Sequence, residues 1–385
     1  MADIELFKLI KNLGTKIDAH TGYIDGRIQL SLQEQGHLIT VNPLFDRRHQ
    51  FVSVDQGIDD VSGQLKKVLD ESELIIISQS FLGDAEIFNT ALSRLLSQGS
   101  DGQKWLRNHN HIRDAEKFRS VDNNGVLCLP TTSALEQHIK FLNPHVHTAV
   151  LPCFISPRFN SESCDVLPGE VRDNLGLTEN DFIIFQPTRV DPRKRIGKSI
   201  YLSAMLQKRL SDRKVVLLVA GGNELGPVYK EEKARLINYS KKLGFDNLVF
   251  LDGLQGDRKF CRVADYMKPG VANLVTFMSG IDAFGIPPLE CSMVGVPCVT
   301  SSFKDEMGYS AFDFNYGSHG FSFILDDEQE NFVNEGTLEK ATAIAMKPSM
   351  FDEDLAKNKR LAEEKYGEEN MKKTLSELLN NSGIT

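Results

Sequence analysis

The 385-residue sequence has little that would favour a membrane, a metal cage or a disulfide framework. No apolar run approaches the roughly 20 residues that a helix needs to span a bilayer. The six cysteines are scattered without a close pair, which is typical of reduced thiols rather than of disulfides or a zinc site. The first residues lack the basic start and apolar core of a signal peptide. We therefore expect a metal-independent protein of the cytoplasm without a transmembrane segment.

Excess positive charge is also lacking, because 44 Lys and Arg residues stand against 53 Asp and Glu residues, a net charge of -9 at pH 7. Such a protein has no general attraction to nucleic acid or to an anionic membrane, so any phosphate binding requires a local site. The hydrophobic share of 41% and the charged share of 25% are typical of a globular enzyme. The length suggests two domains, each with its own core.

Short apolar segments alternate with helical patterns in both halves of the chain, which predicts two parallel sheets. The strands predicted in the first half lie at 6–10, 38–41, 74–77, 125–130 and 148–152. Residues 157–175 lose the periodicity and are rich in Ser, Asn, Pro and Gly, which predicts a linker. The strands predicted in the second half lie at 182–185, 215–219, 248–251 and 273–279. Two doubly wound, Rossmann-like domains joined in this way leave a cleft between their carboxyl edges.

The most informative stretch is Asp282–Glu290, in which two carboxylates bracket seven residues between a predicted strand and a predicted helix. Gly285 allows the backbone to come close to a ligand, and Pro287 and Pro288 suit the first turn of a helix. In an open α/β sheet, such a loop faces the crevice at the carboxyl ends of the strands, where ligands bind. The stretch therefore predicts a binding loop.

Two cations follow the first strand of the second half. Arg189 lies just past that strand, and Lys194 comes five residues later, before the next helix. Cations at a strand-to-helix junction can neutralise a diphosphate. Taken alone, the run would more simply be a solvated basic turn.

His109 and His111 are the best candidate site residues of the first half. They follow an apolar segment and would face the cleft if that segment is a strand, and alternation puts both on one face. A capping or core role is the alternative for either residue.

The second half resembles the donor half of the GT-B glycosyltransferases, specifically the retaining group called family 4, the glycosyl transferases group 1. The resemblance rests, in chain order, on Arg189, Pro192, Lys194, 215–222, 248–253 and Asp282–Glu290. In the first half, Gly22 and the helix ending at Gly36 resemble the family's glycine loop and first helix, although Tyr23 stands where the loop usually has a second glycine.

The resemblance implies the GT-B fold, with two Rossmann-like domains facing a cleft. It implies an acceptor-side domain at residues 1–165 and a nucleotide-sugar donor domain at 166–349. Residues 350–385 would form terminal helices, the last of which crosses back to the first domain.

The resemblance also implies roles for single residues. Arg189 and Lys194 would hold the donor diphosphate and stabilise the charge on the leaving group. Glu290 would accept hydrogen bonds from the ribose hydroxyls, and Asp282, where the family usually has glutamate, would bind hydroxyls of the sugar. The catalytic positions implied are His111, Arg189, Lys194 and Asp282. The donor-binding positions implied are Gly22, His109, Gly285, Ile286, Leu289 and Glu290.

The expected activity is that of a retaining glycosyltransferase that moves a hexose-type sugar from a UDP-, GDP- or ADP-sugar to a hydroxyl acceptor. The acceptor would be a glycan, a small molecule or a lipid-linked sugar, and no cofactor is required. A nucleotide-sugar epimerase or a phosphorylase of the same fold is one alternative. A catalytically silent GT-B partner protein is another, and aspartate at position 282 favours it.

Overall fold

The structure is a computed structural model. It describes residues 17–21, 62, 74–78, 103–107, 125–129, 147–150, 152–153, 155, 172–173, 175–221, 227–251, 266–282, 284–304, 308, 310–328, 331–367, 369–370, 373–374 and 377. The chain divides into two compact units, one made of residues 1–154 and 368–385 and the other of residues 155–367. The boundaries after residues 165 and 349, as limits of an acceptor-side and a donor domain, stay predictions.

The first unit contains a sheet of five parallel strands in the order β1-β2-β3-β4-β5. The strands are β1 Ile17–Thr21, β2 Leu74–Ser78, β3 Gln103–Arg107, β4 Gly125–Leu129 and β5 His147–Val150. The strands predicted at 74–77, 125–130 and 148–152 are confirmed within a residue or two. β1 went unpredicted because Ile17–Thr21 alternates apolar and polar residues over only five positions. The strands predicted at 6–10 and 38–41 lie outside the described residues.

The second unit contains a sheet of six parallel strands in the order β11-β10-β9-β6-β7-β8. The strands are β6 Phe182–Gln186, β7 Val215–Val219, β8 Leu248–Phe250, β9 Leu274–Phe277, β10 Cys298–Thr300 and β11 Ile324–Leu325. β6, β7 and β9 are buried along their whole length, as expected when helices cover both faces of a parallel sheet. This confirms the predicted α/β class with a parallel sheet.

The main helices of the second unit are α1 Ile196–Arg209, α2 Pro227–Lys242, α3 Ile286–Val294, α4 Ala311–Asn315, α5 Glu335–Met346 and α6 Asp352–Tyr366. α1 turns Ile196, Ile200 and Ala204 into the core, a spacing that puts them on one face of the helix. α6 packs against α3 and belongs to the second unit, so the chain returns to the first unit only after Gly367. In the described part of the chain, no helix is both long and apolar enough to cross a bilayer.

α3 is bounded by two glycines in the left-handed region. Gly285 precedes its first residue with φ 72°, and Gly295 follows its last residue with φ 71° and donates its N–H to the Cys291 carbonyl. Pro287 and Pro288 occupy the first turn, where the missing N–H groups cost no intrahelical hydrogen bond. The helix start predicted at Pro287 and Pro288 is therefore confirmed.

Candidate functional site

The site lies where the direction of strand addition reverses. The chain runs from β6 outward through β7 to β8, and then returns to the other side of β6 for β9, β10 and β11. β6 and β9 are therefore neighbours, and the segments that leave their carboxyl ends meet where the Gly280 N–H donates to the Arg193 carbonyl at 3.1 Å. Such a switch point opens a crevice in which α/β proteins bind ligands.

The segment that follows β6 is shaped by Asp191. Its side chain accepts a hydrogen bond from the Arg193 backbone N–H at 2.9 Å and begins a short 3-10 turn, Pro192–Lys194. Burial alone would raise the pKa of Asp191, but hydrogen bonds from the side chain and backbone of Arg193 hold it below its usual value. Arg189 Nε lies 3.7 Å from Asp191 Oδ2, and the Arg189 side chain is 47% exposed. The segment therefore presents two half-exposed guanidinium groups, those of Arg189 and Arg193, and directs Lys194 toward β9.

Lys194 meets the loop that follows β9. Its Nζ lies 2.5 Å from Asp282 Oδ2, and the two side chains are 17% and 21% exposed. The same ammonium stands 5.6 Å from the centre of the Phe277 ring. Two sequence-predicted residues 88 positions apart in the chain thus form an ion pair that is partly open to solvent.

The other carboxylate oxygen of Asp282 shapes the start of α3. Asp282 Oδ1 accepts the N–H groups of Gly285 at 2.9 Å and Phe284 at 3.3 Å. The Asp282 backbone N–H donates to the Lys304 carbonyl at 2.9 Å, which fixes the loop to the segment after β10. Asp282 therefore holds both Lys194 and the backbone that leads into α3.

Gly285 packs directly on an aromatic ring. A Cβ at this position would lie 2.3 Å from Phe303 Cζ, and the left-handed φ is a second reason for glycine here. From behind the loop, the Tyr316 hydroxyl donates to the Gly285 carbonyl at 2.5 Å and Asn315 Nδ2 donates to the Phe284 carbonyl at 3.0 Å. The β9–α3 loop, residues 278–285, is thus held on both sides of its backbone.

The remaining predicted residues of α3 differ in exposure. The Ile286 side chain is exposed, whereas the Leu289 side chain is fully buried in the core, so only its backbone is suited to a ligand contact. Glu290 is partly buried in the second turn, and burial raises its pKa from 4.5 to about 7. A carboxyl group held at such a pKa is a feature of functional sites. Gly22, His109 and His111 lie outside the described residues.

A buried polar cluster lies below the switch point and was not predicted. Gln186 Oε1 accepts hydrogen bonds from the Ser199 and Thr276 hydroxyls, each at 2.8 Å, and Gln186 Nε2 donates to Thr188 at 2.8 Å. The cluster joins β6, β9 and α1, the three elements that support Lys194 and Asp282. In the sequence, these residues are visible only as polar positions within apolar segments. This pattern does not indicate which side chains form hydrogen bonds with one another.

A second Lys–Asp pair was also missed. Lys198 Nζ lies 2.5 Å from Asp326 Oδ1, and both side chains are completely buried. Lys198 also donates to the carbonyls of Asp326 and Glu328, and Asp326 Oδ2 accepts the Asn334 N–H at 2.8 Å. This pair fixes the start of α1 to the segment after β11. Among the described residues, no three His, Cys, Asp or Glu side chains are grouped as metal ligands.

Comparison with known proteins agrees with this geometry. Residues 169–309 match the family model described as Glycosyl transferases group 1. The match covers β6 to β10 and includes Arg189, Lys194 and the whole Asp282–Glu290 stretch. No curated protein matches the chain by sequence.

Solved structures resemble the chain over nearly its whole length. A glycosyltransferase from Rickettsia africae has a TM-score of 0.69 at 12% identity, covering 99% of this chain and 94% of that one. Anabaena HepE in complex with UDP and glucose has a TM-score of 0.68 at 13% identity, covering 95% and 100%. Sucrose-phosphate synthase from Thermosynechococcus elongatus has a TM-score of 0.67 at 13% identity, covering 95% and 98%.

At such low identities these likenesses establish the fold, and they confirm the predicted GT-B architecture. Membership of family 4 and a retaining reaction stay predictions. The chain therefore has the GT-B fold, and its residues 169–309 match the model of the glycosyl transferases group 1 family.

Proposed function

We propose that the protein is a retaining glycosyltransferase that moves a hexose-type sugar from a nucleotide diphosphate sugar to an acceptor hydroxyl. The observation that carries the proposal is the Lys194–Asp282 pair, at 2.5 Å, at the switch point of the segment that matches the family. It is a partly exposed charge pair at the place in the sheet where this fold class binds ligands.

Lys194 and Arg189 would supply the positive charge for the donor diphosphate. A lysine ammonium has three donors, so Lys194 is able to hold a phosphate oxygen while it keeps Asp282. Arg189, 47% exposed, is free to turn toward the second phosphate. As the glycosidic bond breaks, negative charge accumulates on the diphosphate, and fixed cations stabilise that charge more than the ground state.

Asp282 would act mainly as an organising group. A carboxylate has about four acceptor positions, and Lys194, Gly285 and Phe284 together use three of them. About one position is left for a hydroxyl of the donor sugar. The exposed Ile286 beside it offers an apolar surface to the carbon face of the same sugar. Binding of the sugar by Asp282, Gly285 and Ile286 stays part of the proposal.

Glu290 would bind the ribose of the nucleotide. A carboxylate accepts two hydrogen bonds from a vicinal diol, and it is the ionised form that does so best. Because burial raises the pKa of Glu290 to about 7, donor binding would favour loss of its proton near neutral pH.

The stereochemical outcome rests on the carboxylates near the sugar. Asp191 and Asp282, the described carboxylates that follow β6 and β9, are already held by cations and backbone N–H groups. Neither is suited to act as a covalent nucleophile. We therefore propose that the leaving phosphate deprotonates the acceptor hydroxyl on the same face of the sugar, which retains its configuration.

Cations of the protein would take the place of a metal ion in this scheme, so we propose a metal-independent reaction that EDTA leaves unchanged. Cys153, Cys291 and Cys298, all buried, form no disulfide bond, in keeping with the reducing cytoplasm that we propose as its location. His109, His111 and Gly22 are proposed to meet the donor from the first unit, where the acceptor would also bind.

The decisive experiment is a thermal-shift panel of UDP-, GDP- and ADP-sugars, followed by a product assay with the donor that stabilises the protein. UDP and UDP-sugars are the first to test because HepE was solved with UDP and glucose. A matched donor raises Tm by mass action, and mismatched donors do not. Turnover without an acceptor would indicate an epimerase, and turnover with inorganic phosphate a phosphorylase. No shift with any donor would contradict the proposal and favour a silent GT-B protein.

A further inference from the structure

Three buried polar side chains form a continuous path behind the β9–α3 loop. Tyr316 and Asn315, at the end of α4, donate to the consecutive carbonyls of Gly285 and Phe284. The carbonyl of Asn315 itself accepts a hydrogen bond from the Tyr366 hydroxyl at 3.0 Å. Tyr316, Asn315 and Tyr366 are 0%, 2% and 5% exposed, so each of these hydrogen bonds is shielded from water.

The path ends where the chain enters and leaves the second unit. Tyr366 is the last residue of α6, and Gly367 is the last residue of the unit. The Tyr366 carbonyl accepts the backbone N–H of Ile155, the first residue of the unit, at 3.1 Å. Tyr366 therefore contacts both points at which the chain passes from one unit to the other, since it precedes Gly367 and accepts the Ile155 N–H. Through Asn315 it also connects to the loop that carries Asp282.

Aromatic contacts connect the same parts of the chain as these hydrogen bonds. The Phe284 ring meets the Tyr366 ring edge-on, with centroids 5.5 Å apart and planes at 88°, and it meets the Tyr316 ring at 6.2 Å. Phenylalanine at either tyrosine position would keep these ring contacts. Packing alone thus gives no reason for the two hydroxyls, and a buried hydroxyl costs free energy unless it is hydrogen-bonded.

We propose that Tyr366 is a positioning residue that couples the two chain passages to the β9–α3 loop. Its hydroxyl orients the Asn315 peptide, Asn315 and Tyr316 orient the Phe284 and Gly285 peptides, and these set the place of Asp282 and Ile286. The inference rests on the proposed function, since its effect on catalysis requires a sugar donor at this loop. A movement of the passages at Ile155 and Gly367 would reach the loop by the same path.

The test compares Tyr366→Phe with a matched control. Tyr239→Phe removes the same kind of contact, a tyrosine hydroxyl that donates to the Asn331 carbonyl at 3.1 Å, from α2. Both variants and the wild type are measured for hydrogen–deuterium exchange of residues 278–291 without donor, and for kcat and KM with the matched donor. We expect faster exchange of residues 278–291 and a kcat lowered roughly tenfold in Tyr366→Phe alone, because small misplacements of reacting groups slow catalysis strongly.

The outcomes separate this inference from the proposed function. Exchange and kcat equal to those of Tyr239→Phe would overturn the positioning role. So would faster exchange throughout residues 155–367, because this would indicate a general loss of stability. If the wild type neither binds nor turns over any donor, the proposed function fails. The exchange measurement then decides the coupling by itself, since it requires no ligand.

Discussion

Two lysine–aspartate pairs, four residues apart along the same segment, have the same 2.5 Å separation and opposite surroundings. Lys194 and Asp282 are 17% and 21% exposed at the switch point, whereas Lys198 and Asp326 are completely buried. Lys194 joins the segment before α1 to the loop after β9, and Lys198, in the first turn of α1, joins that helix to the end of β11. Only the first leaves room for a ligand to share the lysine.

The difference indicates that the burial of a lysine–aspartate pair decides whether it is suited to support the fold or to bind a ligand. In the buried pair, Lys198 also donates to two main-chain carbonyls and Asp326 Oδ2 accepts a main-chain N–H, whereas Asp326 Oδ1 makes the ion pair but no hydrogen bond. Asp326 therefore depends on the Lys198 charge. The Lys194–Asp282 pair keeps contact with solvent, so a phosphate is able to replace water there at little cost in desolvation. Sealing favours a structural role, and partial exposure favours binding.

The largest effect should come from breaking the sealed pair. Lys198→Met leaves Asp326 as a buried charge without its cation, and we expect a loss of about 3–5 kcal/mol in the free energy of unfolding, measured with urea. The double variant Lys198→Met with Asp326→Asn keeps an acceptor for the Asn334 N–H and should recover much of this loss. A single variant as stable as the wild type would contradict the structural assignment.

Breaking the open pair should affect activity instead. Lys194→Ala removes the cation proposed for the diphosphate, and we expect kcat/KM to fall about 10²–10³-fold, as when a charge-stabilising donor is removed. Because the pair is partly exposed, the free energy of unfolding should change by no more than about 1 kcal/mol. Steady-state kinetics and urea unfolding measure the two quantities. Near-normal turnover would remove the diphosphate assignment.

The two glycines that bound α3 offer a smaller, matched comparison. Gly285→Ala and Gly295→Ala impose similar strain, about 1–2 kcal/mol, because φ is 72° and 71°. Only the first also forces a Cβ to within 2.3 Å of Phe303, which should add about 1–3 kcal/mol of overpacking.

Urea unfolding of both variants measures this difference. Among described atoms, a Cβ at Gly295 would have no neighbour within 4 Å, so it reports strain alone. Equal losses in the two variants would mean that Phe303 moves aside easily and does not define the loop.

Glu290 should give the smallest effect, and one that depends on pH. The folded protein keeps the Glu290 proton up to about pH 7, whereas its ordinary pKa is 4.5. The stability from this group is therefore complete below pH 4.5 and is lost as pH rises through 7. Above that pH, Glu290→Gln should be more stable than the wild type by about 1–2 kcal/mol, after allowance for the solvent that reaches the group.

Unfolding at pH 5 and pH 8 provides the measurement, and the advantage of the variant should vanish at pH 5. The same variant should gain less Tm from the matched nucleotide at pH 8, since it lacks the ionised acceptor for the ribose. A stability difference that is independent of pH would contradict the raised pKa.

The sequence predicted the parts of the site that are local in the chain. Asp282, Gly285, Pro287 and Glu290 fall within nine residues, so strand, loop, glycine and helix start are visible together. Lys194 was predicted as a phosphate-binding cation, and its pairing with Asp282 follows once the two strands are known to be neighbours. The parallel sheets followed from the alternation of apolar segments and helical patterns, and the GT-B fold was implied by the resemblance that these motifs carry.

The parts that were missed depend on contacts distant in sequence. Lys198 and Asp326 are separated by 128 positions, and Tyr366 and Asn315 by 51. In sequence, Lys198 reads as one more cation of a basic segment, and Tyr366 as one apolar position of an amphipathic helix. Their hydrogen bonds depend on the packing of several elements, which periodicity does not specify.

The two prolines of α3 have a further consequence for recognition. Helix starts commonly hold phosphate with a ring of backbone N–H groups. Here Pro287 and Pro288 have none, and the Gly285 N–H is taken by Asp282. The start of α3 therefore keeps the positive end of the helix dipole but has few backbone N–H groups left to donate to a ligand. Under the proposed function, the ammonium and guanidinium side chains would hold the phosphates, and this backbone with few free N–H groups would face the neutral sugar. Under the proposed function, a change of donor sugar would be accommodated most easily at the exposed Ile281 and Ile286, because Asp282 holds Lys194 and Gly285 packs on Phe303.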